Sequence, residues 1–192
     1  SAIGADANSS AAYARSKADG EARVRNAFPG ASIIRPSVVF GQEDDFYNRF
    51  GAMARALPFL LYFTTDAPAL HKVPGGLPRL DLTGSGGPKM QPVYVGDVAA
   101  TIRHILEDRS LQGLTWELGG PRIMTLREIM EQVMRETRRG KPVLPAPMIV
   151  ARIQAALLQF LPVPPLTPDM VKLMERDSVV SGTCPGLADL GI

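Results

Sequence analysis

"YARSKADGEARVRNAFPGASIIRPSVVFG", residues 13–41, carries the reading of this 192-residue chain. Residues 11–27 are rich in alanine and in charges of both signs, which predicts a helix that Pro29 and Gly30 end. Ser32 to Arg35 then reads as a short buried strand. Pro36 prevents simple continuation, and a second β-branched pair precedes Gly41. On the helix, Tyr13 and Lys17 share a face one turn apart. A free phenol titrates near about 10, and an ammonium within a few ångströms favours the phenolate. Such a pair can do proton chemistry, can hold a cofactor, or can be a polar turn of exposed helix.

Working outward, Asp44 or Asp45 is placed to cap a second helix, with Phe46, Phe50, Met53 and Leu57 on one face and Pro58 at its end. Residues 58–90 carry much proline and glycine around one apolar patch, "FLLYFTT". That predicts a long irregular stretch, either functional or a flexible insertion. "QPVYV" (91–95) is a short strand, after which Asp97 caps a helix with apolar positions Val98, Ile102, Ile105 and Leu106. "LTWEL" (114–118) is another strand. "TLRE" (125–128) has capping-box spacing, and the helix it opens runs to Arg139 before Gly140 and Pro142. From about residue 143 the chain is a proline-rich tail. Strands alternate with helices through the first two thirds, which argues for an α/β architecture. The strands are too few for a complete doubly wound sheet. With the serine start and direct entry into "SAIGA", this leads to the expectation of a fragment.

The charge is +2, too small to indicate nucleic-acid binding, and Cys184 is the single cysteine, so no internal disulfide forms. Cys184 reads as a packed or loop residue rather than a nucleophile. "MIVARIQAALLQFL" (148–161) falls short of the roughly 20 apolar residues that cross a bilayer. It reads as a core or surface-packed helix, with a helix docked on a membrane protein or lipid interface as the second reading. Arg138, Arg139 and Lys141 suit the helix C-terminus, with a binding patch as the alternative. His71 and His104 have no partner at metal-ligand spacing, so no metal site is expected. "GSGGPK" (84–89) has neither the G-x-G-x-x-G spacing nor a G-K-[ST], and reads as a turn.

Ser1 stands twelve residues before Tyr13. Together Ser1, "YARSK", "RPSVVFG" and "QPVYVGDVA" (91–99) resemble the short-chain dehydrogenase/reductase superfamily, in its extended and atypical members. With "ELGGP" and the closing "PGLADLGI", the chain resembles most the nicotinamide-nucleotide-binding accessory subunit family of respiratory complex I, the alpha-subcomplex subunit nine family with its bacterial relatives. The resemblance covers all but about residues 59–76. It implies the C-terminal part of a Rossmann-type fold, with the N-terminal dinucleotide-binding half and its pyrophosphate contacts upstream of Ser1. It implies that Lys17 bonds the nicotinamide ribose, that Tyr13 is the acid/base, that Ser1 orients a substrate oxygen, and that backbone groups of Pro36, Ser37 and Val38 face the nicotinamide. The expected cofactor is NADP(H) or NAD(H). The expected partners are complex I subunits, with peripheral membrane contact on the cytoplasmic side of a bacterial inner membrane. The expected division is 1–57 for the C-terminal half of the nucleotide-binding domain, 58–90 for the insertion, and 91–192 for a substrate-side or docking lobe. Two functions follow: a bound-cofactor structural or assembly protein, or an active NAD(P)-dependent reductase or sugar-nucleotide epimerase/dehydratase using Tyr13 and Lys17.

Overall fold

The structure is a computed structural model and describes residues 1–66, 69–71, 79–81, 83–162 and 164–192. In chain order the elements are α1 (Ala12–Ala27), β1 (Ile33–Pro36), β2 (Val39–Phe40), α2 (Asp45–Ala56), β3 (Leu60–Thr64), β4 (Ala69–His71) and β5 (Arg79–Asp81). There follow β6 (Lys89–Met90), β7 (Val93–Tyr94), α3 (Val95–Glu107), β8 (Thr115–Leu118), β9 (Met124–Thr125), α4 (Leu126–Glu136), β10 (Val143–Pro147), α5 (Met148–Leu158) and α6 (Pro168–Leu173). Strands β1–β8, β2–β7 and β10–β3 pair in parallel. Parallel pairs need crossover connections, and the α/β class expected from the alternation of elements is what is observed.

The chain forms two compact units. The first is Ser1–Phe46, Met90–Ile123 and Ser178–Ile192; the second is Tyr47–Lys89 and Met124–Asp177. In the first unit, β1 donates to β8 from Ile33 and Ser37, on alternate residues, so the N–H that Pro36 lacks falls on the other edge. The Ser37 N–H still reaches the Leu118 carbonyl at 2.9 Å, and the chain then changes partner, with β2 pairing β7. The core here is Val93, Ile105, Trp116 and Leu118, and the Trp116 indole N–H donates to the Leu111 carbonyl.

Helix α3 departs from the sequence reading. It starts at Val95 straight out of β7, and Asp97 lies in its first turn, where its charge suits the helix dipole without capping. The buried face includes Thr101 and Ile105, while Ile102 and Leu106 are exposed. Thr101 can be buried because its hydroxyl donates to the Asp97 carbonyl one turn back.

In the second unit, residues 58–90, expected as an irregular insertion, contain β3, whose residues are nearly all buried. The expectation for 67–68, 72–78 and 82 lies outside the described residues. Strand β10 was hidden in the tail by its two prolines. Pro145 and Pro147 sit at alternate positions, so both missing N–H groups point to one edge and the ladder to β3 uses the other. Phe63 and Ala146 pack with Met148, Ala151 and Ala155 of α5. Helix α4 opens on the expected capping box: Thr125 Oγ1 accepts from the Glu128 N–H and Glu128 accepts from the Thr125 N–H. Thr125→Ala is expected to cost about 1 kcal/mol, read as a lower urea midpoint; no shift would show that the cap contributes nothing. The helix ends at Glu136, before the predicted Arg139, and its left-handed residue is Arg138 (φ 53°), not Gly140.

Candidate nicotinamide-side site

Helix α1 places Tyr13, Lys17 and Glu21 at successive turns of one face. Tyr13 is 45% exposed, and the Lys17 ammonium sits 5.1 Å from its ring centroid, within cation–π range. The predicted pair is therefore brought together on a partly exposed face of α1.

Glu21 is buried. It accepts two hydrogen bonds from the Arg35 guanidinium, both at 2.7 Å, and one from Ser1 Oγ at 2.5 Å. Arg35 also faces Glu117 at 3.5 Å. Burial pushes the Glu21 carboxyl up, but the hydrogen bonds from Arg35 and Ser1 outweigh it and hold the group below its ordinary value. The hydrogen bond to Glu21 in turn raises Arg35. Ser1 Oγ thus donates to Glu21, two turns of α1 along from Tyr13.

The run after β1 is closely tied down. The Pro36 carbonyl accepts from the Ile3 N–H, the Ser37 N–H donates to Leu118, and the Val38 carbonyl accepts from the Val93 N–H. The Ser37 hydroxyl donates to the Ser178 carbonyl at 2.6 Å and accepts from the Gln91 N–H at 3.3 Å. These bonds anchor the C-terminal segment, which the Glu117 carboxylate grips through the Ser181 N–H and which packs Leu187 and Leu190 on the core. Cys184 lies half-buried in that segment.

Three features escaped the sequence reading: Glu21, Arg35 and Glu117. A signal was present, because an arginine inside the apolar strand "IIRP" must find a partner when buried. "GSGGPK" is a turn, with Gly84, Gly86 and Gly87 at positive φ. Its Gly86 and Pro88 carbonyls accept from the Arg127 and Leu126 N–H groups, so it closes the start of α4 with acceptors, the wrong polarity for a phosphate cradle.

No family profile matches the chain. It is similar to the "NADH dehydrogenase [ubiquinone] 1 alpha subcomplex subunit 9, mitochondrial" of Arabidopsis thaliana, at 32% identity over 100% of this chain and 45% of that protein. The Mus musculus protein of the same name is 34% identical over 99% of this chain and 45% of its own length. Among solved structures, a Thermus thermophilus UDP-glucose 4-epimerase in complex with NAD matches with a TM-score of 0.55, at 18% identity over 93% of this chain and 47% of that one. A dTDP-4-dehydrorhamnose reductase from Clostridium acetobutylicum matches with a TM-score of 0.54, at 14% identity over 92% and 52%. The fold is therefore an α/β fold with parallel strands, like that of these epimerase and reductase structures. Along nearly all of its own length the chain is similar to the alpha-subcomplex subunit 9 proteins, and it spans about half the length of the curated relatives it matches.

Proposed function

We propose that this chain forms the nicotinamide side of a dinucleotide site in a complex I-associated protein, where bound NAD(H) or NADP(H) stabilises the fold and is not turned over. The single observation that carries the reading is the similarity along the whole chain to the subunit 9 proteins. The site geometry supports it. Lys17 and Tyr13 offer an ammonium and a phenol to a ribose, while the hydroxyl that would orient a substrate oxygen is held by Glu21. Pro36, Ser37 and Val38 form a rigid rim against which a nicotinamide ring would lie. A ligand that binds only the native state stabilises it by mass action, so cofactor retention and assembly are coupled. The dinucleotide's pyrophosphate contacts would come from the remainder of a full-length protein.

Docking would be peripheral, on the cytoplasmic side of a bacterial inner membrane. Among the described residues no helix is long and apolar enough to cross a membrane. Helix α5 leaves Ile149, Ile153 and Leu157 exposed at four-residue spacing, a surface suited to a partner subunit.

A second reading is an NAD(P)-dependent reductase or epimerase, favoured by the exposed Tyr13 phenol beside Lys17. Tyr13→Phe in the full-length protein separates the two. The structural reading expects unchanged complex I assembly and no carbonyl-substrate turnover to lose. Turnover that disappears in Tyr13→Phe while assembly persists would establish the enzyme instead.

A further inference from the structure

At the C-terminal end of α4 the second unit carries a groove of about 540 Å³, within the size range of small-ligand sites. Arg135, Arg138, Arg139 and Lys141 line it, with Met134 and Val143 supplying apolar wall. The one carboxylate in the lining, Glu131, is engaged by Arg127 at 2.7 Å. Among the described residues, none of Arg135, Arg138 and Arg139 pairs with a carboxylate within 4.0 Å. The Lys141 ammonium donates to the Leu57 carbonyl at 2.6 Å and to that of Arg55, closing the end of α2. The end of α4 contributes about half a negative charge, which one cation offsets. Three guanidinium groups leave a positive excess.

Arg138 adopts φ 53° as the left-handed residue of the α4 cap, where its N–H donates to the Arg135 carbonyl and the Arg139 N–H donates to the Met134 carbonyl. Glycine fills such a position with less strain, and the arginine found there adds a cation to the groove lining.

We infer that this groove binds a phosphate-bearing anion, gripped by the forked donors of Arg135, Arg138 and Arg139. Guanidinium forks match phosphate oxygens in pairs, and the groove is open enough to admit an organic phosphate or a phospholipid headgroup. The inference stands apart from the dinucleotide reading, since no residue of the groove belongs to the first unit.

The test compares the full-length protein with its Arg138→Gly variant. Inorganic pyrophosphate is titrated by calorimetry, and vesicles of phosphatidylcholine doped with phosphatidylglycerol are assayed by co-sedimentation. Salt-sensitive binding to pyrophosphate supports a soluble source, and binding to the doped vesicles supports a headgroup. In either case Arg138→Gly weakens binding about tenfold, as loss of one charged hydrogen-bonding group should. The same variant unfolds at a higher temperature, because glycine relieves the left-handed strain. Weaker binding in a more stable protein cannot be a folding defect. Wild-type protein that binds neither probe, or an Arg138→Gly variant that binds as well as wild type, overturns the inference.

Discussion

Arg35→Met lowers the stability of the first unit by about 3–5 kcal/mol, the range for removing one partner of a buried ion pair. Glu21 and Glu117 are both buried, and Arg35 is the cation set between them. Methionine keeps much of the side-chain volume, so the loss reports the charges rather than a cavity. The pH dependence has a definite sign. In wild type, the folded Glu21 carboxyl sits below its ordinary value. Its contribution is therefore present above the ordinary carboxylate value and lost as pH falls through the lowered folded value. Without Arg35, burial dominates and pushes Glu21 up, so acidification relieves the variant while it weakens wild type. Urea midpoints at neutral pH and near about pH 4.3 show the gap narrowing in acid. A gap that widens in acid, or a loss under about 1 kcal/mol at neutral pH, contradicts the buried network.

Lys17→Met weakens NADH or NADPH binding by the full-length protein about 10- to 100-fold. Each hydrogen bond from an ammonium to a ribose hydroxyl is of the charged kind, worth about 1.5–3 kcal/mol. Methionine retains the apolar stem over Tyr13 and removes only the charge and donors. The cation–π contact contributes about 0.5–1 kcal/mol, so the cofactor-free midpoint moves little. Equal dinucleotide affinity in wild type and variant, followed by fluorescence titration, would remove Lys17 from the site.

Much of this arrangement was legible in the sequence because it rests on local rules. The capping box at Thr125 and Glu128, the stop at Pro29 and Gly30, and the helical spacing of Tyr13 and Lys17 all depend on residues within a few positions of one another. What stayed hidden depends on distant partners. Strand β10 looks like a proline tail until β3 lies beside the edge that retains its N–H groups. Glu21 looks like another surface charge of α1 until Arg35 and Ser1 close on it. The Ser37 hydroxyl gives no sign in the sequence of the returning segment, whose Ser178 carbonyl accepts its hydrogen bond. The face of α3 was misread because a buried threonine, satisfied within its own helix, carries no apolar signal.

The central claim is that the Tyr13–Lys17 face holds a dinucleotide on which assembly depends. The most direct measurement is the amount of NAD(H) and NADP(H) released on denaturing complex I-assembled full-length protein, in wild type and Lys17→Met. The account predicts dinucleotide in near-equal amount with the assembled wild-type protein, and loss of both dinucleotide and assembly in the variant. Wild-type protein fully assembled with no dinucleotide, or Lys17→Met assembled normally without it, would contradict the account.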